Sequence, residues 1–296
     1  MKLRCFLLSA ALALLLAGCQ AEKPVETVSA PPEPSQEQSA LPEPSPAASE
    51  PVSVPPEELT PEELLAEQPI DETHDAFLVD TGGKLGTLLV TVELGERGPN
   101  PNPEWESWEY PVYLSVWKPA DMSQPIQKLE GTAWDVDWNA YDRHEELDAN
   151  FDGYMDFSVL NSMGNGASSW YLWVWDEGAG QFVEVPEYRE ISLPRCNPET
   201  GVIDGWARNS GAGDGVTTFH RWEDGKLVCV RRIETWWEPD EAIRTEEEIT
   251  VFPMHLKVED RIDGELTQVH YQYFSPGESF ASEQEKWESL DYHGGE

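Results

Sequence analysis

From about residue 71 onward the chain is built of short runs of branched and aromatic residues, broken by glycine, proline and aspartate. Residues 84–94 and 110–117 are two such runs, and each predicts a strand. Trp134, Val136 and Trp138 alternate with Asp135 and Asp137, the period of two that sets one strand face on a core and the other in water. Trp170-Tyr171-Leu172-Trp173-Val174-Trp175 is apolar at every position and reads as a central strand buried on both faces. Asp224-Gly225 lies between residues 216–223 and 226–237, and Asp263-Gly264 between 254–262 and 265–274. Both positions of a type I′ turn need positive φ, so each pair predicts a two-residue hairpin. In the last strand Val269, Tyr271 and Tyr273 face one way, with Gln268, His270 and Gln272 facing the other. Amphipathic helices of useful length are missing. The expected fold is all-β: an antiparallel meander of hairpins forming one sandwich or barrel-like domain over residues 71–296. No repeat is clean enough to indicate a propeller.

The first 70 residues are of another kind. Lys2 and Arg4 precede an apolar run at 6–16, which is shorter than the ~20 helical residues a bilayer requires and sits where a signal h-region belongs. The run ends in Leu16-Ala17-Gly18-Cys19, small residues before a cysteine, as a lipoprotein signal peptidase requires. Residues 1–18 therefore read as a lipoprotein signal peptide and Cys19 as the lipidated residue, carrying diacylglycerol and palmitate. The expected location is extracytoplasmic, at the cell membrane or envelope, with the chain anchored to a bilayer by the Cys19 lipid without spanning it. Residues 20–70 hold half of the 24 prolines, eleven glutamates and one lysine, with no aromatic residue. Such a composition cannot offset the entropy of ordering, so residues 19–70 are expected to be an anchor and a disordered spacer. At ~3 Å per residue it would reach on the order of 100 Å or more. Thr60-Pro61-Glu62-Glu63 has a capping-box pattern with proline at the first helical position, which predicts one short helix before the domain.

Export leaves Cys196 and Cys229 as the candidates for a disulfide, two buried free thiols being the alternative. A formal net charge of −38 excludes nucleic acid as a partner, since phosphate binding needs a cationic footprint. The same charge raises the local concentration of cations and cationic proteins.

The stretch Asp148-Ala149-Asn150-Phe151-Asp152-Gly153-Tyr154-Met155-Asp156 carries the candidate chemistry. Oxygens of Asp148, Asn150 and Asp152 alternate so as to point inward when the loop wraps a hard cation. Gly153 permits the sharp turn, the Tyr154 carbonyl follows, and Asp156 completes the cage. Val159 stands where an EF-hand would place its bidentate glutamate, and no helical pattern flanks the loop. Ca²⁺ is the expected ion, in a stabilising role; an acidic turn without metal is the alternative.

The string Asn150-Phe151-Asp152-Gly153-Tyr154-Met155-Asp156-Phe157, followed by the tryptophan-rich strand and Gln181-Phe182-Val183, resembles a group of bacterial secreted and lipid-anchored β proteins. Their D-x-N-x-D-G-x-x-D calcium loops are of the FG-GAP type, and the resemblance covers residues 142–237. It implies that Asp148, Asn150, Asp152 and Asp156 are calcium ligands. One member of the group is a periplasmic lipoprotein that inhibits a lysozyme-like effector, but no motif maps that inhibitory surface onto this chain.

Catalytic patterns are scarce. The six histidines, His74, His144, His220, His255, His270 and His293, have no zinc-site spacing. Residues 162–166 and 211–215 are glycine-rich but form neither a nucleophile elbow nor a P-loop, and both read as loops. Thirteen tryptophans are many for this length. Most read as core, whereas Trp105, Trp108, Trp236 and Trp237 lie beside glutamates, where exposed indoles stack on sugar rings or anchor a protein contact. The sequence thus predicts a calcium-stabilised binding lipoprotein without catalysis. Its expected partner is a cationic protein such as a lysozyme, or a cell-wall glycan, and the alternative within binding is an inhibitor of lysozyme-like peptidoglycan hydrolases. A carbohydrate-active enzyme is the rival reading.

Overall fold

Two turns fix which strands are neighbours. Asp224-Gly225 takes φ of 48° and 75°, and Asp263-Gly264 takes 52° and 88°, the left-handed pairs of a two-residue hairpin. Pairing runs outward from Glu223 opposite Lys226 and from Ile262 opposite Glu265.

The computed structural model describes residues 59–83, 85–98, 109–134, 143–209, 213–244 and 250–294. Helix α1 (Pro61–Ala66) precedes strands β1 (His74–Asp80), β2 (Thr87–Leu94), β3 (Glu109–Trp117) and β4 (Gln127–Trp134). Strands β5 (His144–Leu147), β6 (Asp156–Gly164), β7 (Ala167–Asp176) and β8 (Gln181–Glu184) follow, then a 3₁₀ turn at Pro186–Glu190. The second half holds β9 (Arg195–Asn197), β10 (Val202–Arg208), β11 (Gly215–Glu223) and β12 (Lys226–Trp237). It ends with β13 (Ile243–Arg244), β14 (Thr250–Val251), β15 (Met254–Ile262), β16 (Glu265–Phe274) and helix α2 (Ala281–Glu288). The fold is all-β and built of antiparallel hairpins, as the pattern predicts.

An eight-stranded sheet runs β1-β2-β3-β4-β6-β7-β8, with β5 added on β6. All its pairs are antiparallel except the single parallel contact of Trp134 with Ser162. The sheet curls until β1 meets β5 and the start of β6. Arg143 donates to the His74 carbonyl (2.7 Å), His144 Nδ1 lies 2.7 Å from Asp75 Oδ2, and Met155 N–H donates to the Asp80 carbonyl (3.3 Å). The result is barrel-like, with Phe77, Val90, Leu114, Phe157, Trp173 and Trp175 inside. β7 is buried on both faces: Trp173 and Trp175 fill this interior while Leu172 points into a second core.

The other main sheet runs β16-β15-β12-β11-β10-β9. Its inner face carries Phe219, Ile233, Leu256, Val258 and Phe274, packed with Trp287 of α2. Between the sheets, Leu147, Ala149 and Leu172 meet Ile203 and Leu227, together with Tyr188 and Ile191 around the 3₁₀ turn. Burying each such large apolar side chain stabilises the fold by about 1.5–3 kcal/mol.

Helix α1 starts as its capping box dictates: Thr60 Oγ1 accepts from Glu63 N–H (3.2 Å) and Glu63 Oε2 from Thr60 N–H (2.8 Å). Three details differ from the pattern, and one is untested. The described part of β4 reaches Trp134, and the alternation through Trp138 lies outside the described residues. Ser162 to Gly164 close β6 and are strand, not loop. In β16, Gln268 pairs with Glu259 and His270 with Val258, so Val269 is an extra residue that breaks the alternation, although Tyr271 and Tyr273 stay exposed. Helix α2 was not foreseen, because its only buried residue is Trp287 and no 3.6-residue stripe can form from one.

Candidate functional site

Strands β5 and β6 pair down to Leu147 opposite Asp156, so residues 148–155 form the closed link between them. Phe151 and Gly153 both take positive φ (60° and 91°), folding the link tightly enough for its side chains to cap its own amides. Asp148 accepts from the N–H of Asp152 (3.1 Å) and of Gly153 (3.0 Å). Asn150 Oδ1 shares the Asp152 N–H (3.1 Å), and Asn150 Nδ2 donates to Asp152 Oδ2 (2.8 Å). Asp152 Oδ1 accepts from Tyr154 N–H at 2.9 Å.

Asp156 is fully buried. Its Oδ2 accepts from Ala149 N–H (2.9 Å) and Asn150 N–H (3.4 Å), and its Oδ1 from Trp175 N–H on β7 (2.8 Å). Burial pushes its carboxyl up to about 7, the nearby Asp152 adds to the rise, and the three amides oppose it. Among the described residues its hydrogen-bond partners are these three backbone amides.

The donor set fits a hard cation in kind: three carboxylates, one amide oxygen and one carbonyl, with lone pairs left over from the amide bonds. The side chains nevertheless serve the loop itself. Among the described residues, no three histidine, cysteine or acidic side chains converge as ligands around one point. Asp148, Asn150 and Asp152 lie together along the loop. Asp156 also ties it to β7, and the Tyr154 ring packs against the first core.

The loop sits where the two sheets meet. Trp222 of β11 donates to the Ala149 carbonyl at 2.7 Å, and Ala149 and Phe151 pack in the core that both sheets share. Beside it opens a cleft of about 430 Å³ lined by Asn150, Asp152, Asp176, Glu177, Val183 and Trp222.

The disulfide expectation is overturned. Cys196 on β9 pairs with Ile203, Ile203 with His220, and His220 with Cys229 on β12, so two strands separate the thiols. Three strand spacings put them roughly 14 Å apart, about twice the span a disulfide bridges. Both cysteines are free, and burial pushes the Cys196 thiol up to about 12, which makes it inert.

The tryptophan set divides. Cys19, Trp105 and Trp108 lie outside the described residues. Trp236 and Trp237 are consecutive on β12 and so point to opposite faces. Trp237 packs against Phe252 and the third core and donates to Asp214 Oδ2 (3.1 Å), so its expected place on a binding surface is corrected to a packing role. Trp236 lies on the outer face, stacked on His255 at 4.8 Å. Beside it stand Tyr271 and Tyr273, which the sequence reading did not assign to a site. Their alternation in β16 was visible, but the register that brings them to Trp236 was not.

No protein-family model matches this sequence, and no curated protein matches it. Among solved structures it is similar to one described as "Structure of a Xanthomonas Type IV Secretion System related protein", with a TM-score of 0.42 and 17% identity. The match covers 66% of this chain and 93% of that one. A likeness so slight carries no functional argument.

Proposed function

We propose that this protein is a non-catalytic binding lipoprotein of the bacterial cell envelope, anchored outside the cytoplasm by lipid on Cys19 and fastened by one Ca²⁺ at residues 148–156. The single observation that carries the reading is the placement of that loop. An all-oxygen donor set with a buried, amide-held carboxylate lies at the joint of the two sheets, where one ion acts on both. Asp148, Asn150, Asp152, Asp156 and the Tyr154 carbonyl would hold the metal, and the metal would supply the positive charge that the buried Asp156 lacks. The lipid anchor is supported by the basic start, the short apolar run and the Leu16-Ala17-Gly18-Cys19 box, and the spacer by the proline and glutamate content of residues 20–70.

Calorimetric titration of Ca²⁺ into chelator-treated protein tests the metal. Saturable binding that Asp148→Ala and Asp152→Ala abolish is the expected result, and a flat titration rejects the site. For the anchor, the chain should fractionate with membranes and incorporate labelled palmitate. A Cys19→Ala variant that does both equally well would overturn it.

A second reading, inhibition of lysozyme-like peptidoglycan hydrolases, is favoured by charge. Such enzymes are often cationic, and a net charge of −38 with an acidic cleft beside the loop would steer them inward. Inhibition of a cationic lysozyme should be strongest at low ionic strength and weaken as salt screens the approach. Release of product from peptidoglycan or other glycans by the purified protein would instead favour a carbohydrate-active enzyme.

A further inference from the structure

The six-stranded sheet ends on β16, and among the described residues no backbone group pairs with its outer edge. At ten residues it is the longest of the edge strands of the two main sheets, against seven in β1, four in β8 and three in β9. A long unpaired edge is a template for another strand, and proteins that must avoid this place charge, proline or a cover there. In a chain of net charge −38, β16 has no proline and a single carboxylate, Glu265, at its far end.

A second observation lies on the outer face of the same strand. Tyr273 pairs with His255, and His255 with Trp236, so three rings form a row across β16, β15 and β12. Trp236 and His255 are within 5° of parallel, and Tyr273 meets His255 edge-on at 5.2 Å. Tyr271 stands in the next row, its hydroxyl 2.7 Å from His255 Nδ1. The two tyrosines are 49% and 44% exposed on the outermost strand. The basic groups of this face are already engaged: Lys257 lies 2.8 Å from Glu259, and Arg232 lies 3.1 Å from Glu259 and 3.3 Å from Glu234. Glu241 accepts from the Tyr273 hydroxyl at 3.1 Å, which sets a carboxylate beside the exposed rings.

We propose that β16 is a docking edge for an extended, arginine- or lysine-bearing segment of a cationic protein. The segment adds to the sheet as a further strand, so its main chain satisfies the open edge and alternate side chains fall one row from Tyr271 and Tyr273. Charge selects this occupant. A second copy would bring −38 against −38, whereas a guanidinium or ammonium group meets electron-rich ring faces and Glu241. The inference deepens the binding reading by naming its surface, and it does not depend on calcium.

The probe is a short labelled peptide of alternating arginine and threonine, titrated into the protein and followed by fluorescence anisotropy and by amide chemical shifts. Two controls accompany it: alternating glutamate and threonine, and the arginine peptide N-methylated along one edge. The expected result is saturable binding of the first peptide alone, with shifts concentrated in residues 265–274. A Tyr271→Ala/Tyr273→Ala double variant should bind it about tenfold more weakly. Equal binding of the N-methylated peptide would reduce the contact to charge and overturn the proposal. So would a dimer in sedimentation that the double variant dissolves, or shifts of the same strand caused by chito-oligosaccharide in place of peptide. If the double variant fails to fold, the comparison of methylated and unmethylated peptide on the unaltered protein decides. Failure of this edge leaves the calcium titration untouched, so the two readings fall separately.

Discussion

Arg231 is 1% exposed, yet each of its five N–H groups is matched. Nε and one terminal nitrogen grip Asp260 at 2.6 and 2.7 Å, and the remaining donors reach the carbonyls of Trp287, Ser289 and Tyr292. Lysine keeps the charge but lacks the planar fork and supplies three donors where five are matched, so Arg231→Lys should cost about 1–3 kcal/mol, the range for leaving buried hydrogen-bonding groups unsatisfied. Urea unfolding checks this, and an unchanged midpoint would contradict it. His220 provides the corresponding test with pH. Burial lowers its pKa from 6.5 to about 4, against a smaller opposing pull from the Ile203 backbone. The unfolded chain therefore takes up the proton first as pH falls. The stability that the neutral ring contributes is full above about pH 6.5 and is lost progressively down to about 4. His220→Gln should flatten that acid limb, and an unaltered limb would assign it to other groups. Neither residue announces its role in the sequence: Arg231 sits in an ordinary basic pair, and its partners are 29 or more positions away.

Among the elements, Asp-Gly pairs show how far local chemistry reaches. Asp224-Gly225 and Asp263-Gly264 form the turns they predict, because alternating strands flank them in register. Asp204-Gly205 has the same composition and lies inside β10. There the glycine is required by close approach: a Cβ on Gly205 would meet Ile191 Cγ2 at 2.3 Å and the Ser192 carbonyl oxygen at 2.8 Å. Gly205→Ala should thus cost about 1–3 kcal/mol by overpacking, and Gly225→Ala, with open space around it but φ of 75°, about 1 kcal/mol. Parallel chemical denaturation of the two variants checks the order, and a harmless Gly205→Ala would show that the 3₁₀ segment yields. Strand type, both hairpins and the α1 cap were legible because each is encoded within a few residues. Helix α2 and the extra residue in β16 were not, since packing against distant strands decides them.

Across the whole molecule, two of the three cores meet at the 148–156 loop, and that loop was the most legible part of the candidate site because its motif is contiguous. The aromatic row and the separation of the two cysteines depend on register among strands 18 to 33 residues apart, which periodicity cannot supply. If one Ca²⁺ fastens the joint, mass action at about 100 times its dissociation constant adds ~2.7 kcal/mol of stability, a rise of several degrees in Tm. The most direct measurement is thermal unfolding of the purified chain with Ca²⁺ and with chelator, for the natural sequence and for Asp152→Ala. A higher midpoint with Ca²⁺ that Asp152→Ala removes is the expected result; equal midpoints with and without the ion would contradict a calcium-fastened domain.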